Sequence, residues 1–380
     1  MAKIMIGMSG GVDSAVAAYI LKQQGHEVIG AFMRNWDSTA NNDILGNNWQ
    51  GDICPQEVDY LDAKKAAEIL DIPLYRVDFI KEYWDNVFSY FIKEYEKGRT
   101  PNPDIMCNKY IKFDCFIEFA KQHNVDYIAT GHYAKVVHEN GRSKLYKAKD
   151  KNKDQSYFLS FLNEKQLSFS LFPLADISKP EVREIAAKLN LNVAEKKDST
   201  GICFIGERNF REFLKNYIPA KPGIIVDIRT NKKVGEHHGV YYYTFGQRKG
   251  LNIGGIKGTD GKSWFVVKKD VKKNILYVAM GDDNEYLLCE EVIVKDANFF
   301  IEVNDNDKIE CNAKFRYRQN DIPVFIEKVD KNTIKVIGKQ PMKAVTIGQI
   351  AVFYDMETEQ LIASGTIEEL YKNGKKMDLI

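Results

Sequence analysis

Residues 3–20 read Lys-Ile-Met-Ile-Gly-Met-Ser-Gly-Gly-Val-Asp-Ser-Ala-Val-Ala-Ala-Tyr-Ile, and this stretch decides the fold. Ile4 to Met8 is a short apolar run of the kind that forms a buried strand. From Val12 onward apolar side chains recur at Ala15, Val16, Tyr19 and Ile20, the spacing of one helical face. Ser9-Gly10-Gly11 lies between them, so the segment reads strand, glycine turn, helix. Adjacent glycines let the backbone approach a ligand with no Cβ in the way. Free N–H groups at the helix start then converge on one spot, where the helix dipole favours an anion. Ser9 to Ser14 is therefore a candidate phosphate-binding loop, with Ser9 and Ser14 adding hydroxyl donors. It is not the Walker loop, which is longer and carries a Lys before its Ser/Thr; Asp13 stands in that place.

Working outward, the first half alternates strand and helix. Strands are expected at Val28–Met33, Leu74–Phe79 and Asp126–Thr130. Helices are expected at Pro55–Leu70, with an apolar stripe of Val58, Leu61, Ala66, Ile69 and Leu70, and at Tyr83–Tyr95, Asn108–Gln122, Glu181–Leu189 and Phe210–Tyr217. Asn140-Gly141 reads as a hairpin turn. This rhythm predicts an α/β domain with a parallel sheet. Ligands in such sheets bind at the carboxyl ends of the strands, where Ser9–Ser14, Met33 and Gly131-His132 all fall. After Pro219 short β-rich runs begin at Gly223–Ile228, Val240–Thr244, Ser263–Val267 and Leu276–Ala279, with a glycine-rich loop at Gly250–Gly261. Six further strand-like runs between Cys289 and Ile367 suggest a small antiparallel barrel. The expected domains are 1–208, 209–282 and 283–380: an α/β domain, a small β-rich domain and an antiparallel β-barrel.

With 44% hydrophobic and 28% charged residues the chain has ordinary globular composition. No apolar stretch approaches the length that spans a bilayer, and the chain runs into its first strand without a signal peptide, so no membrane is expected and a cytoplasmic location is. The net charge of +1 hides an asymmetry. Residues 208–273 hold fifteen Lys and Arg against five Asp and Glu, whereas residues 281–380 hold thirteen against nineteen. A basic middle suits a polyanionic partner or a solvated lysine-rich surface. No coiled coil or large apolar stripe is left over, so a monomer is expected.

The six cysteines form no CxxC pair, which argues against a zinc finger or a disulfide scaffold and for a reducing compartment. Cys115, Cys289 and Cys311 read as small core residues. Cys54, before Pro55, has no clear reading. Cys107 follows Arg99-Thr-Pro-Asn-Pro-Asp-Ile-Met106, a rigid loop expected to lead into a helix at Asn108. A helix N-terminus, with Lys109 and Lys112 close by, is expected to lower its pKa. Cys203 lies in Lys196-Lys-Asp-Ser-Thr-Gly-Ile-Cys-Phe204, also polar and lysine-flanked. Both read as reactive thiols.

Ser-Gly-Gly-x-Asp-Ser resembles the PP-loop of ATP pyrophosphatases. The chain as a whole resembles the tRNA-specific 2-thiouridylases through Gly7–Ser14, Thr100–Asp104 with Cys107, Ala129–Ala134, Lys153–Gln155, Asp198–Cys203, Phe245–Gly250 and Arg316-Tyr317. The resemblance implies an adenine nucleotide α-hydrolase-like first domain, with tRNA-binding central and C-terminal domains. ATP, with Mg2+, would sit on Gly7, Met8, Ser9, Gly10, Gly11, Val12, Asp13 and Ser14, with Met33 and Gly131 near adenine and ribose. The C2 oxygen of the wobble uridine would be adenylated. Cys203 would carry a persulfide delivered by a sulfur relay or a cysteine desulfurase, and Cys107 would act with it as nucleophile. Asn102, Pro103 and Asp104 would contact the flipped base, with Asp104 a candidate acid/base. His132, Lys153, Asp154, Gln155, Arg316, Tyr317 and Gln349 would contact tRNA. No resident metal is expected in the protein itself. Two other readings stand beside this one: a PP-loop ligase adenylating a small carboxylate, and a non-catalytic RNA-binding protein on a degenerate nucleotide fold.

Overall fold

The computed structural model describes residues 1–45, 55–198, 201, 203, 205, 209–254 and 261–380. Cys54, four residues of the 196–204 stretch and 255–260 of the glycine-rich loop lie outside the described residues. The chain divides into two compact units.

The first unit comprises 1–89, 103–209 and 357–362. Its chain order is β1 (Lys3–Gly7), α1 (Val12–Gln23), β2 (Glu27–Arg34), α2 (Pro55–Leu70), β3 (Leu74–Asp78) and α3 (Ile80–Tyr83), then a π-helical segment Trp84–Phe88; the next helix, α4 (Ser89–Glu96), belongs to the second unit from residue 90 on. It resumes with α5 (Pro103–Cys107), a second π-helical segment Asn108–Cys115, α6 (Phe116–Lys121), β4 (Tyr127–Ala129), the hairpin β5 (Lys135–Glu139) and β6 (Arg142–Tyr146), α7 (Glu164–Ser168), β7 (Ser170–Leu171) and α8 (Lys179–Lys188). The sheet has the order β3-β2-β1-β4-β7 and every pairing in it is parallel. The chain winds one way from β1 through β3 and then returns to the other side of β1. That places the switch point between β1 and β4, where open α/β sheets bind ligands. The Ser9–Ser14 turn follows β1 and Gly131 follows β4, so both lie at this crevice.

Ile4 and Ile6 join Val16, Ala63 and Val182 in the core under α1, α2 and α8, while Met5 is equally buried. A strand covered on both faces needs the continuous apolar run seen at 4–8. The stripe expected on α2 is corrected. Val58, Leu61 and Ile69 are 43, 48 and 42% exposed, and the buried face is Ala63, Ala66, Ala67 and Leu70. Small side chains let this helix approach the core closely and leave the larger ones outside. The helix expected to start at Asn108 instead starts at Pro103, with proline in the first turn, where its missing N–H costs nothing.

The second unit comprises 90–102, 210–356 and 363–380. After α9 (Phe210–Lys215) comes a four-stranded sheet of β8 (Gly223–Asp227), β9 (Lys232–His237), β10 (Trp264–Asp270) and β11 (Ile275–Met280), in the order β10-β11-β8-β9. β9 was not legible in the sequence because it is a lysine-rich edge strand, the usual composition of an exposed edge. The strand expected at Val240–Thr244 is instead a 3-10 turn at Val240–Tyr242. The last strands are β12 (Leu288–Phe299), β13 (Lys308–Lys314), β14 (Ile322–Asp330), β15 (Thr333–Lys343), β16 (Ile350–Tyr354), β17 (Leu361–Lys372) and the short β18 (Lys375–Lys376). Their sheet runs β12-β15-β14-β13-β16-β17, and β12 also pairs with β17, which closes a six-stranded antiparallel barrel. Closure removes the unpaired edges an open sheet would present.

Candidate active site

The turn after β1 is built to leave donors free. Gly11 occupies the N-cap of α1 in an extended conformation, and no side chain caps the helix. Asp13 and Ser14, the possible caps, are engaged elsewhere. Ser14 Oγ donates to Gly11 O (3.1 Å) and accepts from Ser9 N (3.1 Å), which folds the loop on itself. Gly10 has φ +72°, and a Cβ there would lie 2.2 Å from Asp59 O. A Cβ on Gly131 would lie 2.7 Å from Ser14 N, so the turn after β4 rests directly on the start of α1. Uncapped N–H groups inside a cradle that a Cβ would fill are what a polyphosphate requires.

A cation beside that cradle comes from far along the chain. Lys179 Nζ lies 2.7 and 2.8 Å from the two oxygens of Asp13 and 2.7 Å from Asp198 Oδ1. Lysine in the first turn of a helix opposes the helix dipole. Its place at the start of α8 is therefore set by these carboxylates, while a Ser178–Glu181 capping box forms the helix itself. Tyr133 OH donates to Asp13 (2.8 Å), and Lys153 (2.6 Å) and Arg183 (2.8 Å) also bind Asp198. Three cations thus face two carboxylates. Lys196 adds a further tie, donating to Gly10 O (2.9 Å), Asp59 (2.7 Å) and Asp62 (2.6 Å).

Burial pulls the Asp198 carboxyl upward, but hydrogen bonds from Lys153 and Lys179 outweigh it and hold the group at about 2. A folded-state value below the unfolded one gives stability that is present above about pH 4 and is lost as pH falls toward 2. The Asp198→Asn variant is expected to lose less melting temperature than the wild type between pH 5 and pH 2, measured by thermal denaturation. Equal losses would show that Asp198 carries none of the acid sensitivity.

The sulfur site forms around α5. Asp104, 99 positions away in sequence, accepts from Cys203 N (2.9 Å), and Tyr83 OH donates to Cys203 O (3.0 Å). These bonds pin the Cys203 peptide from both sides, and they bring Cys203 to Cys107. Cys107 is fully buried and Cys203 half-buried, and neither is in a disulfide. The expectation of a lowered Cys107 pKa is corrected. The residue sits at the end of α5 rather than before a helix, and Lys109 turns away toward the Tyr110 and Phe161 rings. Burial, then hydrogen bonding to Cys203, pushes the Cys107 thiol well above its ordinary value. Cys203 moves the opposite way: it accepts from the Cys107 thiol and lies beside the Lys112 ammonium, which together outweigh its burial. One sulfur favours the thiolate and its neighbour keeps the proton. Burial raises the Asp104 carboxyl, against the Cys203 N–H and Lys112.

The other expected residues fall into two groups. Met33 is buried at the end of β2. His132 is buried, packed against the Phe113 and Phe172 rings and bonded to Thr130 (2.8 Å); burial, with the Lys112 ammonium adding, pushes its pKa well down and keeps it neutral. Asp154 accepts from Ala148 N (3.0 Å) and Ser156 Oγ (2.9 Å), and Gln155 accepts from Tyr133 N (3.0 Å). With Lys153 on Asp198, these four side chains are engaged within the unit rather than displayed to a polyanion. Asn102, Arg316, Tyr317 and Gln349 belong to the second unit. Arg316 is exposed at the turn after β13, and Gln349 donates to Thr100 O (2.8 Å) and Pro101 O (3.2 Å). Tyr83, Lys179, Arg183 and Lys196 were not singled out from sequence, because their roles depend on partners more than ten and mostly over a hundred positions away.

Among the described residues no helix is long and apolar enough to cross a membrane, and no cluster of three or more His, Cys, Asp or Glu is placed to hold a metal. Residues 2–207 match the family model described as a tRNA methyl transferase HUP domain, 211–280 the tRNA methyl transferase PRC-barrel domain, and 289–367 the aminomethyltransferase beta-barrel domain. The chain is 61% identical over 360 residues to a tRNA-specific 2-thiouridylase MnmA of Mycoplasma mycoides subsp. mycoides, covering 93% of this chain and 95% of that one. It is 48% identical over 378 residues to a protein of the same name from Bacillus cytotoxicus, covering 100% and 98%. With identity of this level over nearly the whole length, and a PP-loop and a cysteine pair in one unit, the chain belongs to the tRNA-specific 2-thiouridylase family.

Proposed function

We propose that this chain, a tRNA-uridine 2-sulfurtransferase by family, replaces the C2 oxygen of the wobble uridine with sulfur in two steps. In the first, ATP lies with its phosphates on residues 7–14 and the adenosine near Met33 and Gly131. The C2 oxygen forms a bond to the α-phosphorus, the bond to the β-phosphate breaks, and pyrophosphate leaves onto the N–H groups of the loop and the Lys179 ammonium. Asp104, raised by burial, takes the proton that the base gives up. A urea-like oxygen leaves poorly, whereas adenylation makes the leaving group AMP.

In the second step the terminal sulfur of a Cys203 persulfide bonds to C2, and AMP departs with the electron pair of the C2–O bond. Cys107 gives up its proton and attacks Cys203 Sγ. A Cys107–Cys203 disulfide forms, and the sulfur stays on the base as 2-thiouridine. A donor protein, either a sulfur relay or a cysteine desulfurase, supplies the persulfide sulfur, and an external thiol reductant reopens the disulfide. The uridine reaches this site by leaving the anticodon stack, against Asn102, Pro103 and Asp104. The basic residues of 208–273, with His132, Lys153, Asp154, Gln155, Arg316, Tyr317 and Gln349, hold the tRNA, so affinity falls with salt. The buried contacts of His132, Asp154 and Gln155 require that part of this set open first. Magnesium accompanies the ATP phosphates and supplies charge neutralisation; the described residues offer it no all-protein cage.

The observation that carries this reading is the Cys107–Cys203 pair, with the Cys203 peptide held by Asp104 and Tyr83, in the same unit as the PP-loop. The deciding experiment is nucleoside mass spectrometry of tRNA incubated with the protein, ATP and a sulfide source, where 2-thiouridine is expected. Tight tRNA binding with no 2-thiouridine, and pyrophosphate release that survives thiol alkylation, would point to a carboxylate ligase. No tRNA-dependent pyrophosphate release at all would point to a binding protein.

A further inference from the structure

The helix that carries Cys107 changes register at the sulfur site. It is α-helical over Pro103–Cys107, π-helical over Asn108–Cys115 and α-helical again from Phe116, and the Phe116 N–H bonds to Ile111 O, five residues back. No proline or glycine follows Pro103 in it to force the change. Its consequence is geometric. In an α-helix of 3.6 residues per turn, the fifth residue after Cys107 lies roughly 140° around the axis from it. Bonding from i to i+5 brings that residue back to about one turn away, on the same side. The fifth residue is Lys112.

Lys112 accordingly meets Asp104 and Cys107 of α5 and hydrogen-bonds the Cys203 sulfur, whose peptide is pinned by Asp104 and Tyr83. Among the described residues, the titratable groups around that sulfur are Asp104 and Cys107 from α5, Tyr83 from α3, and Lys112 itself, with neutral His132 beyond it. Lys112 is the cation of this set; Lys109 lies over two aromatic rings. We propose that the π register of 108–115 delivers Lys112 to the sulfur pair, where its ammonium is the counter-ion of anionic sulfur on Cys203, both as thiolate and as terminal persulfide. Burial favours the neutral form of that ammonium, but the Cys203 and Cys107 sulfurs and Asp104 outweigh it and keep the charge in place. An anionic sulfur held largely out of bulk water needs a fixed cation, because little solvent reaches it to stabilise the charge. An α-helical register would have put the lysine on the far side.

This inference rests on Cys203 being the sulfur carrier, yet the readout that decides it, the alkylation midpoint, needs no tRNA. The full chain is alkylated with iodoacetamide across pH 5–10, and Cys203 modification is read by peptide mass spectrometry. In the wild type Cys203 is expected to react with a midpoint below that of a free thiol. Lys112→Met is expected to raise the midpoint by about one pH unit or more and to cut thiolation about 100-fold, and Lys112→Arg is expected to restore both. Should Lys112→Met unfold, Lys112→Gln, which keeps hydrogen bonding without charge, is measured in its place against the same expectation. An unchanged midpoint in a folded Met or Gln variant overturns the proposal, and so does a shifted midpoint that Arg fails to restore. A wild-type chain with the low midpoint but no 2-thiouridine would overturn the proposed reaction and leave the counter-ion assignment standing.

Discussion

Cys203→Ser is expected to make no measurable 2-thiouridine, a loss on the order of 10⁴-fold or more, while Cys107→Ser is expected to stop one step later with tRNA covalently bound to the protein. Loss of a covalent nucleophile acts on this scale. The different stopping points follow from the proton distribution at the pair. Two sulfurs side by side in a water-poor site do not both ionise, since the second charge would face the first at low dielectric. Cys203 holds the charge, against the Cys107 thiol and Lys112, while Cys107 keeps its proton. In the proposed reaction Cys203 therefore carries sulfur first. Once its charge is consumed in the bond to C2, the hydrogen bond and the charge that added to burial in keeping Cys107 protonated are gone. Lys112 then faces a thiol free to ionise, and Cys107 attacks.

In Cys107→Ser that attack is absent, so the base remains joined to Cys203 through two sulfurs. The adduct appears as a slowed tRNA band on a denaturing gel and disappears on adding excess thiol. If no adduct forms and free sulfide accumulates instead, the sulfur leaves Cys203 before it reaches the base. If both serine variants still make 2-thiouridine, the cysteine pair does not do the chemistry.

Much of this was legible at the level of local pattern. Ser9-Gly10-Gly11 between an apolar run and a helical face is short-range information, and β1, the turn and α1 stand where it put them. The polar settings of Cys107 and Cys203 marked them as reactive. Their opposite ionisation was not legible, because it depends on burial and on a neighbour almost a hundred positions away. Nor was the π register: 108–115 has the composition of an ordinary amphipathic helix, and only the tertiary site gives the extra residue per turn a use. On α2 the larger apolar residues were expected inside, but close approach to the core selects Ala63, Ala66 and Ala67. Lys179 was hidden for a plainer reason. A lysine in KPEVRE reads as a helix start, and nothing within ten residues shows that Asp13 is its partner.

Lys179→Met is expected to lower ATP affinity about 100-fold, or about 2.8 kcal/mol, and to destabilise the protein as well. Two effects are superposed and can be separated. The lysine side chain is 11% exposed, and the carboxylates of Asp13 and Asp198 are each 32% exposed. Removing the ammonium leaves two carboxylates facing one another. Breaking a fully buried pair costs about 3–5 kcal/mol; solvent screening at partly exposed carboxylates reduces that to about 1–3 kcal/mol. The second effect is on the ligand. A polyphosphate settling on the uncapped start of α1 arrives beside Asp13, and without Lys179 it meets that carboxylate with no cation between them. Asp13→Asn in the Lys179→Met background separates the two. If the lysine only neutralises Asp13, the double variant recovers both melting temperature and ATP affinity. If it also contacts the phosphates, the melting temperature returns while the affinity stays low, and equilibrium binding of a non-hydrolysable ATP analogue reads the difference. The cation excess around Asp13 and Asp198 favours the second outcome: Lys153 and Arg183 remain on Asp198 in either variant, so the charge missing at the loop is the one that a phosphate would use.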